Sequence, residues 1–98
     1  MSSRNKNNLP IRDLIRVMLN DAGLQQKYDR LEIIRCYHEV MGTVISNKTK
    51  EVNVRGKTLI LKMTSGVLRE ELNMNKKRII DLVNEQFGSA VIEEIEIW

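Results

Sequence analysis

Glu51-Val52-Asn53-Val54-Arg55-Gly56-Lys57-Thr58-Leu59-Ile60-Leu61-Lys62-Met63 is where the hydrophobic period of the chain changes from 3.6 to 2. Val52 and Val54 alternate with polar neighbours, and Leu59, Leu61 and Met63 resume the alternation after Gly56-Lys57. That pattern predicts a β-hairpin. Its register can be argued. A two-residue Gly56-Lys57 turn sets Val54 against Leu59 and Val52 against Leu61, apolar on apolar, whereas an Arg55-Gly56 turn sets Val54 against Lys57. The first keeps one face dry, and a one-residue slip loses it. Glycine at the first turn position suits a type II′ turn.

Upstream the spacing is helical. Asn8 can cap a helix whose first turn holds Pro10 and whose stripe is Ile11, Leu14, Ile15 and Met18, with Gly23 as its stop. A second helix is expected from about Gln25 to Met41, striped by Tyr28, Leu31, Ile34 or Cys36, Tyr37 and Met41, and ended by Gly42. Val44-Ile45 could extend it or pack as a loop. Residues 1–8 read as a frayed polar tail, and residues 9–98 as a single domain.

Downstream, Thr64 or Ser65 can cap one helix running to Phe87-Gly88, with Val67, Leu68, Leu72, Ile79, Ile80 and Val83 inward. In a single helix of that length Glu70 and Glu71 come early and Lys76, Lys77 and Arg78 late, as the helix dipole favours. A last strand, Val91–Trp98, alternates Ile95 and Ile97 with Glu94 and Glu96. The order α-α-β-β-α-β predicts an α+β fold: a three-stranded sheet with helices packed on one face and the other face partly open. The last strand pairs with a hairpin strand, and the crossover helix covers the sheet.

Composition narrows the function. The 98 residues, 42% apolar and 30% charged, are enough for one core without staples. One cysteine excludes an internal disulfide and suits a reducing compartment, so the cytoplasm is expected. There is no long apolar run and no apolar stretch behind the polar start, so neither a membrane span nor a secretory signal is expected. His38 is the only histidine, and Cys36 lies two residues from it on a helix, pointing elsewhere. Zinc binding and Cys–His catalysis are therefore not expected. The sequence contains no GxxxxGK[ST] phosphate loop and no dinucleotide turn. No enzyme, cofactor or metal is expected.

A formal net charge of +3 permits an acidic partner. Arg69, Lys76 and Lys77 on the helix after Ser65, with Arg55, Lys57 and Lys62 on the hairpin, are the candidate nucleic-acid contacts, with Lys48 and Lys50 nearby. A groove bordered by these cations suits a phosphate backbone. From charge alone, a solvated helix face and a Lys-rich hairpin explain the same residues more simply. Arg69 could instead anchor a carboxylate such as Glu51 or Glu94. Of Tyr28, Tyr37, Phe87 and Trp98, most read as core, so base-specific recognition by stacking is not indicated.

Thr64-Ser65-Gly66-Val67-Leu68-Arg69-Glu70-Glu71-Leu72-Asn73-Met74 closely resembles the hallmark of the DciA family. That pattern has a Ser, then Val-Leu-Arg, Glu-Leu, a basic position and an Ile-Ile-type pair. Here these are Ser65, Val67-Leu68-Arg69, Glu71-Leu72, Lys76 or Lys77, and Ile79-Ile80, followed by Leu82-Val83-Asn84. Upstream, Tyr37-His38-Glu39-Val40-Met41-Gly42 and then Thr49 match Trp-Pro-x-Val-x-Gly and Thr, with Tyr37 in place of the Trp and His38 in place of the Pro. The likeness runs from about Leu9 to Ile97. It implies a KH-like domain that serves the bacterial replicative DNA helicase in loading or operation, binding that helicase and DNA, single- or double-stranded, without hydrolysing ATP. Many members carry a basic or disordered tail beside this domain, so a form without one is expected to bind weakly or to need another protein. The sequence has no GxxG loop, so KH-style clamping is not implied. Two alternatives stay open: a general RNA-binding KH-like module, and a protein-interaction or homodimerisation domain that binds no nucleic acid.

Overall fold

A computed structural model of the chain describes Ile15 and residues 22–98. The expected polar tail and first helix lie outside the described residues, apart from Ile15, which is helical.

Helix α1 spans Ala22–Asn47. Gly23 lies within it and is not among the glycines with positive φ. A glycine inside a helix costs only about 1 kcal/mol against alanine, so α1 accommodates Gly23; the end of the expected first helix lies outside the described residues, and Gly23 is not the glycine that breaks α1. Gly42 is: at φ 83° and ψ 173° it breaks α1, and Thr43–Asn47 resume as a short helical piece. The buried face of α1 is Ile33, Cys36 and Tyr37, with Val40 half-buried, so Tyr28 and Leu31 of the expected stripe face outward. Apolar side chains occupy two faces of this helix, and spacing alone does not say which one meets the sheet.

Strands β1 (Thr49–Arg55) and β2 (Thr58–Met63) form the hairpin, with Val54 opposite Leu59 and Val52 opposite Leu61. Gly56 has φ 62° and Lys57 no positive φ, which agrees with a type II′ turn and not with type I′. A bulge interrupts the ladder between Thr49 and Glu51.

The long helix expected after Ser65 is two helices, α2 (Gly66–Asn73) and α3 (Lys76–Phe87). The Ser65 hydroxyl accepts from the Leu68 N–H at 3.3 Å, and this caps α2. Met74 closes α2 and Asn75 leaves helical geometry at φ −125°, ψ 27°, its side chain donating to the Glu71 carbonyl at 2.8 Å. An asparagine can offer its own side chain to the backbone in place of the next helical turn. The break lets Leu72 reach the core from α2 and Ile79 and Val83 from α3. Val67, expected inward, is 76% exposed. Gly88, at φ 103°, ends α3 with its N–H on the Asn84 carbonyl.

Strand β3 (Glu94–Ile97) is shorter than expected and runs parallel to β2, pairing Leu59 with Ile95 and Leu61 with Ile97. The order is β1-β2-β3. The Trp98 N–H donates to the Leu61 carbonyl, and the Trp98 carbonyl accepts from the Met63 N–H. Helices cover one face of the sheet. There Val54, Leu59, Leu61, Met63 and Ile95 pack with Tyr37, Leu72, Ile79, Val83 and Ile92. Leu59 and Leu61 are fully buried, each contributing about 1.5–3 kcal/mol of transfer free energy.

Candidate nucleic-acid interface

The six candidate cations fall into separate groups. Arg55 and Lys62 stand on the sheet face that no helix among the described residues covers, Arg55 opposite Thr58 and Lys62 opposite Glu51. Lys57 occupies the hairpin turn, where its ammonium pairs with Glu93 at 3.4 Å. The Glu93 and Glu94 N–H groups both donate to the Lys57 carbonyl, so turn and strand are tied through the backbone as well. Lys76 and Lys77 open α3 and share a groove of about 650 Å³ with Ile80, Asp81, Glu93 and Glu94. Lys57, Lys76 and Lys77 thus gather around Glu93 at one end of the molecule. Arg69 lies on α2, near Gly66, and does not share a helix face with Lys76 because the Met74–Asn75 break separates them. Among the described residues Arg69 makes no ion pair, so the anchoring role with Glu51 or Glu94 is not realised.

The break also reverses an electrostatic expectation. Lys76, Lys77 and Arg78 are the first three residues of α3, at its positive pole, not late in a long helix. Asn75 gives no side-chain cap, so the first N–H groups of α3 have no capping acceptor. Uncapped donors and three cations converge there, tempered by Asp81, Glu93 and Glu94 across the groove.

Two aromatic side chains depart from the core reading. Tyr37 is buried, but Tyr28 is 41% and Trp98 62% exposed. Period-2 alternation does put Trp98 in phase with Glu94 and Glu96, and that phase was the available signal. His38 bonds Ser46 at 2.9 Å across the Gly42 break, and Cys36 is buried, so the two do point apart. Burial pushes the Cys36 thiol upward.

The family model described as "Dna[CI] antecedent, DciA" matches residues 10–97. The chain belongs to the DciA family. Membership implies a helicase-loader-related role in bacterial replication. No curated protein matches the chain. No helix among the described residues is long and apolar enough to cross a membrane.

Most DciA hallmark positions have structural work in this fold. Ser65 caps α2, Leu72 fills the core, and Gly42 adopts a left-handed φ. The Tyr37 hydroxyl meets the Thr49 hydroxyl at 3.0 Å, so the two positions touch in this chain. Asn84 brackets the segment before β3: its carbonyl oxygen accepts from Val91 and Ile92 N–H, and its amide donates to the Ile92 carbonyl. The solvent-exposed hallmark side chains are Val67, Arg69, Glu71 and the basic position at Lys76 or Lys77.

Proposed function

We propose that this protein is a non-enzymatic, nucleic-acid-binding accessory of the bacterial replicative helicase, acting in the cytoplasm through a KH-like domain. Family membership supports the helicase partner. The observation that carries nucleic-acid binding is the basic first turn of α3. Cations at a helix N-terminus oppose the macrodipole by about 0.3–1 kcal/mol each, so folding alone does not favour Lys76-Lys77-Arg78 there. A phosphate relieves that repulsion and meets uncapped N–H donors as well. Lys57 reaches the same end of the molecule, and a phosphate would compete with Glu93 for it. Arg69, Arg55 and Lys62 serve as outlying contacts. The mixture of signs in the groove predicts moderate, strongly salt-dependent affinity.

The test is co-purification with the organism's replicative helicase, together with DNA binding at two salt concentrations. Association with the helicase and a salt-dependent DNA affinity are expected. The reading fails if neither is found. RNA competing better than single-stranded DNA would move the assignment to a general RNA-binding module.

A second reading, a protein-interaction or homodimerisation domain without nucleic acid, is favoured by exposed Leu24, Tyr28 and Leu31 on the outer side of α1. It requires charge neutralisation at Lys76 and Lys77 to leave nucleic-acid binding at the same null value, and the apolar positions to control association.

A further inference from the structure

Trp98 combines a backbone held at both hydrogen-bonding groups with a large aromatic side chain left in water. The N–H donates to Leu61 at 2.8 Å and the carbonyl accepts from Met63 at 2.9 Å, so the residue extends the β2–β3 ladder. The residue is nonetheless 62% exposed, on the face opposite the helices. It borders a depression of about 230 Å³ with Glu51, Asn53, Ile60 and Lys62. A large aromatic surface on a rigid strand, with an ammonium and an amide beside it, has the chemistry of a base-stacking platform: the π-face takes any base, the cation takes the phosphate and the amide can reach a base edge.

Charge on this face is unevenly spread. Around Arg55, the sheet face carries Glu94, opposite Thr58. Around Trp98 it carries Lys62, Glu51 and Glu96, the last of these two residues before Trp98 and on the same face, and exposed Lys48 and Lys50 lie at the same end. The Lys48 carbonyl accepts from both the N–H and the hydroxyl of Thr64, which fixes this segment beside the end of β2. Cations outnumber carboxylates at the Trp98 end alone. Lys62 makes no ion pair among the described residues, although Glu51 is its cross-strand neighbour.

We propose that Trp98 stacks an unpaired base of a single-stranded nucleic acid on the open sheet face, with Lys62 holding an adjacent phosphate. The inference rests on the nucleic-acid reading above and adds a second binding surface to it, away from the first turn of α3. A strand bound there along its length is single-stranded, because bases inside a duplex are stacked on both faces and offer none to the indole.

The experiment uses the whole chain, whose one tryptophan makes its intrinsic emission a report on this site alone. Unlabelled oligo-dT is titrated while Trp98 emission is followed, and binding is measured in parallel by anisotropy of a labelled oligo-dT. Quenching is expected with the single strand and absent with a duplex. Trp98→Ala should weaken binding by about 5- to 150-fold with unchanged far-UV dichroism, and Trp98→Phe should restore most of it. Lys62→Gln should reduce the salt dependence. Anisotropy binding with unchanged emission and an unaffected Trp98→Ala variant overturns this inference while leaving the proposed function standing. No binding of oligo-dT in either assay overturns this inference, and the proposed function falls with it only if duplex DNA and the helicase also fail to bind. Quenching that follows protein concentration without DNA, with a dimer in sedimentation, assigns the face to a second copy and also overturns it.

Discussion

Asn84 is the residue on which the return from α3 to the sheet depends. Its side-chain amide satisfies three backbone groups that no ladder reaches. Asn84→Ala leaves the Ile92 N–H and carbonyl without protein partners in a half-buried place, while the Val91 N–H keeps the Ser89 carbonyl, and is expected to lower stability by about 2–3 kcal/mol, read by urea denaturation. Asn84→Asp keeps the acceptor and should lose less. Tyr37 has a different signature. Burial pushes its hydroxyl up from the ordinary 10.0, while the bond to Thr49 pulls the other way. The folded state therefore keeps the proton where the unfolded chain loses it. That stability is fully present below pH 10 and is lost as pH rises above it. Cys36, raised by burial from 9.0, acts in the same sense from a lower pH. Unfolding free energy measured from pH 8 to 11 should fall, and a Tyr37→Phe, Cys36→Ser double variant should flatten that fall. On the outside of α1, Arg35 is held between Glu32 and Glu39, and Gln86 donates to Glu39 at 2.9 Å. The carboxylates raise the Arg35 guanidinium further above its ordinary value, with Glu32 the largest cause. Being exposed, this network adds little to stability.

The break between α2 and α3 determines what the basic cluster can do. A continuous helix would place Lys76, Lys77 and Arg78 near its middle, out of reach of either pole and spread along a solvated face. Two helices place them at an uncapped start, beside Glu93 and Glu94. Neutralising Lys76 and Lys77 to Gln removes repulsion from the macrodipole and attraction to those carboxylates at once. Thermal stability should therefore change by less than about 0.5 kcal/mol. The logarithmic salt slope of DNA binding should shrink by about 0.7–0.9 for each phosphate that the protein no longer neutralises. A large loss of stability with an unchanged slope would show that the lysines serve the fold instead.

At the scale of the molecule, a single dry sheet face carries the whole core. Leu61 sits in the middle strand with Val52 on one side and Ile97 on the other, fully buried. Leu61→Ala should cost about 2–5 kcal/mol in urea denaturation, a large share of what a domain of this size holds. An all-or-none loss is expected, because β1 and β3 meet only through β2. The uncovered face has no such role, and substitutions of Arg55 or Lys62 should leave stability nearly unchanged.

The hairpin, its register and its turn were legible from Val52, Val54, Gly56, Leu59 and Leu61, because period 2 and one dry face leave a single consistent pairing. The cap at Ser65 and the break at Gly42 were legible too, since both are local chemistry. The DciA likeness was readable because its hallmark residues keep caps, core positions and a left-handed turn at set offsets. Three things needed the tertiary structure. Which face of α1 is buried, Ile33–Cys36–Tyr37 over Tyr28–Leu31, depends on where the sheet lies. Whether Ser65 to Phe87 forms one helix or two depends on Leu72 and Ile79 reaching the same core from different directions. The grouping of Lys57 with Lys76 and Lys77, and the separation of both from Trp98 and Lys62, follows from a parallel β2–β3 pairing that brings residues far apart in sequence together. Local propensity carries no information about such contacts.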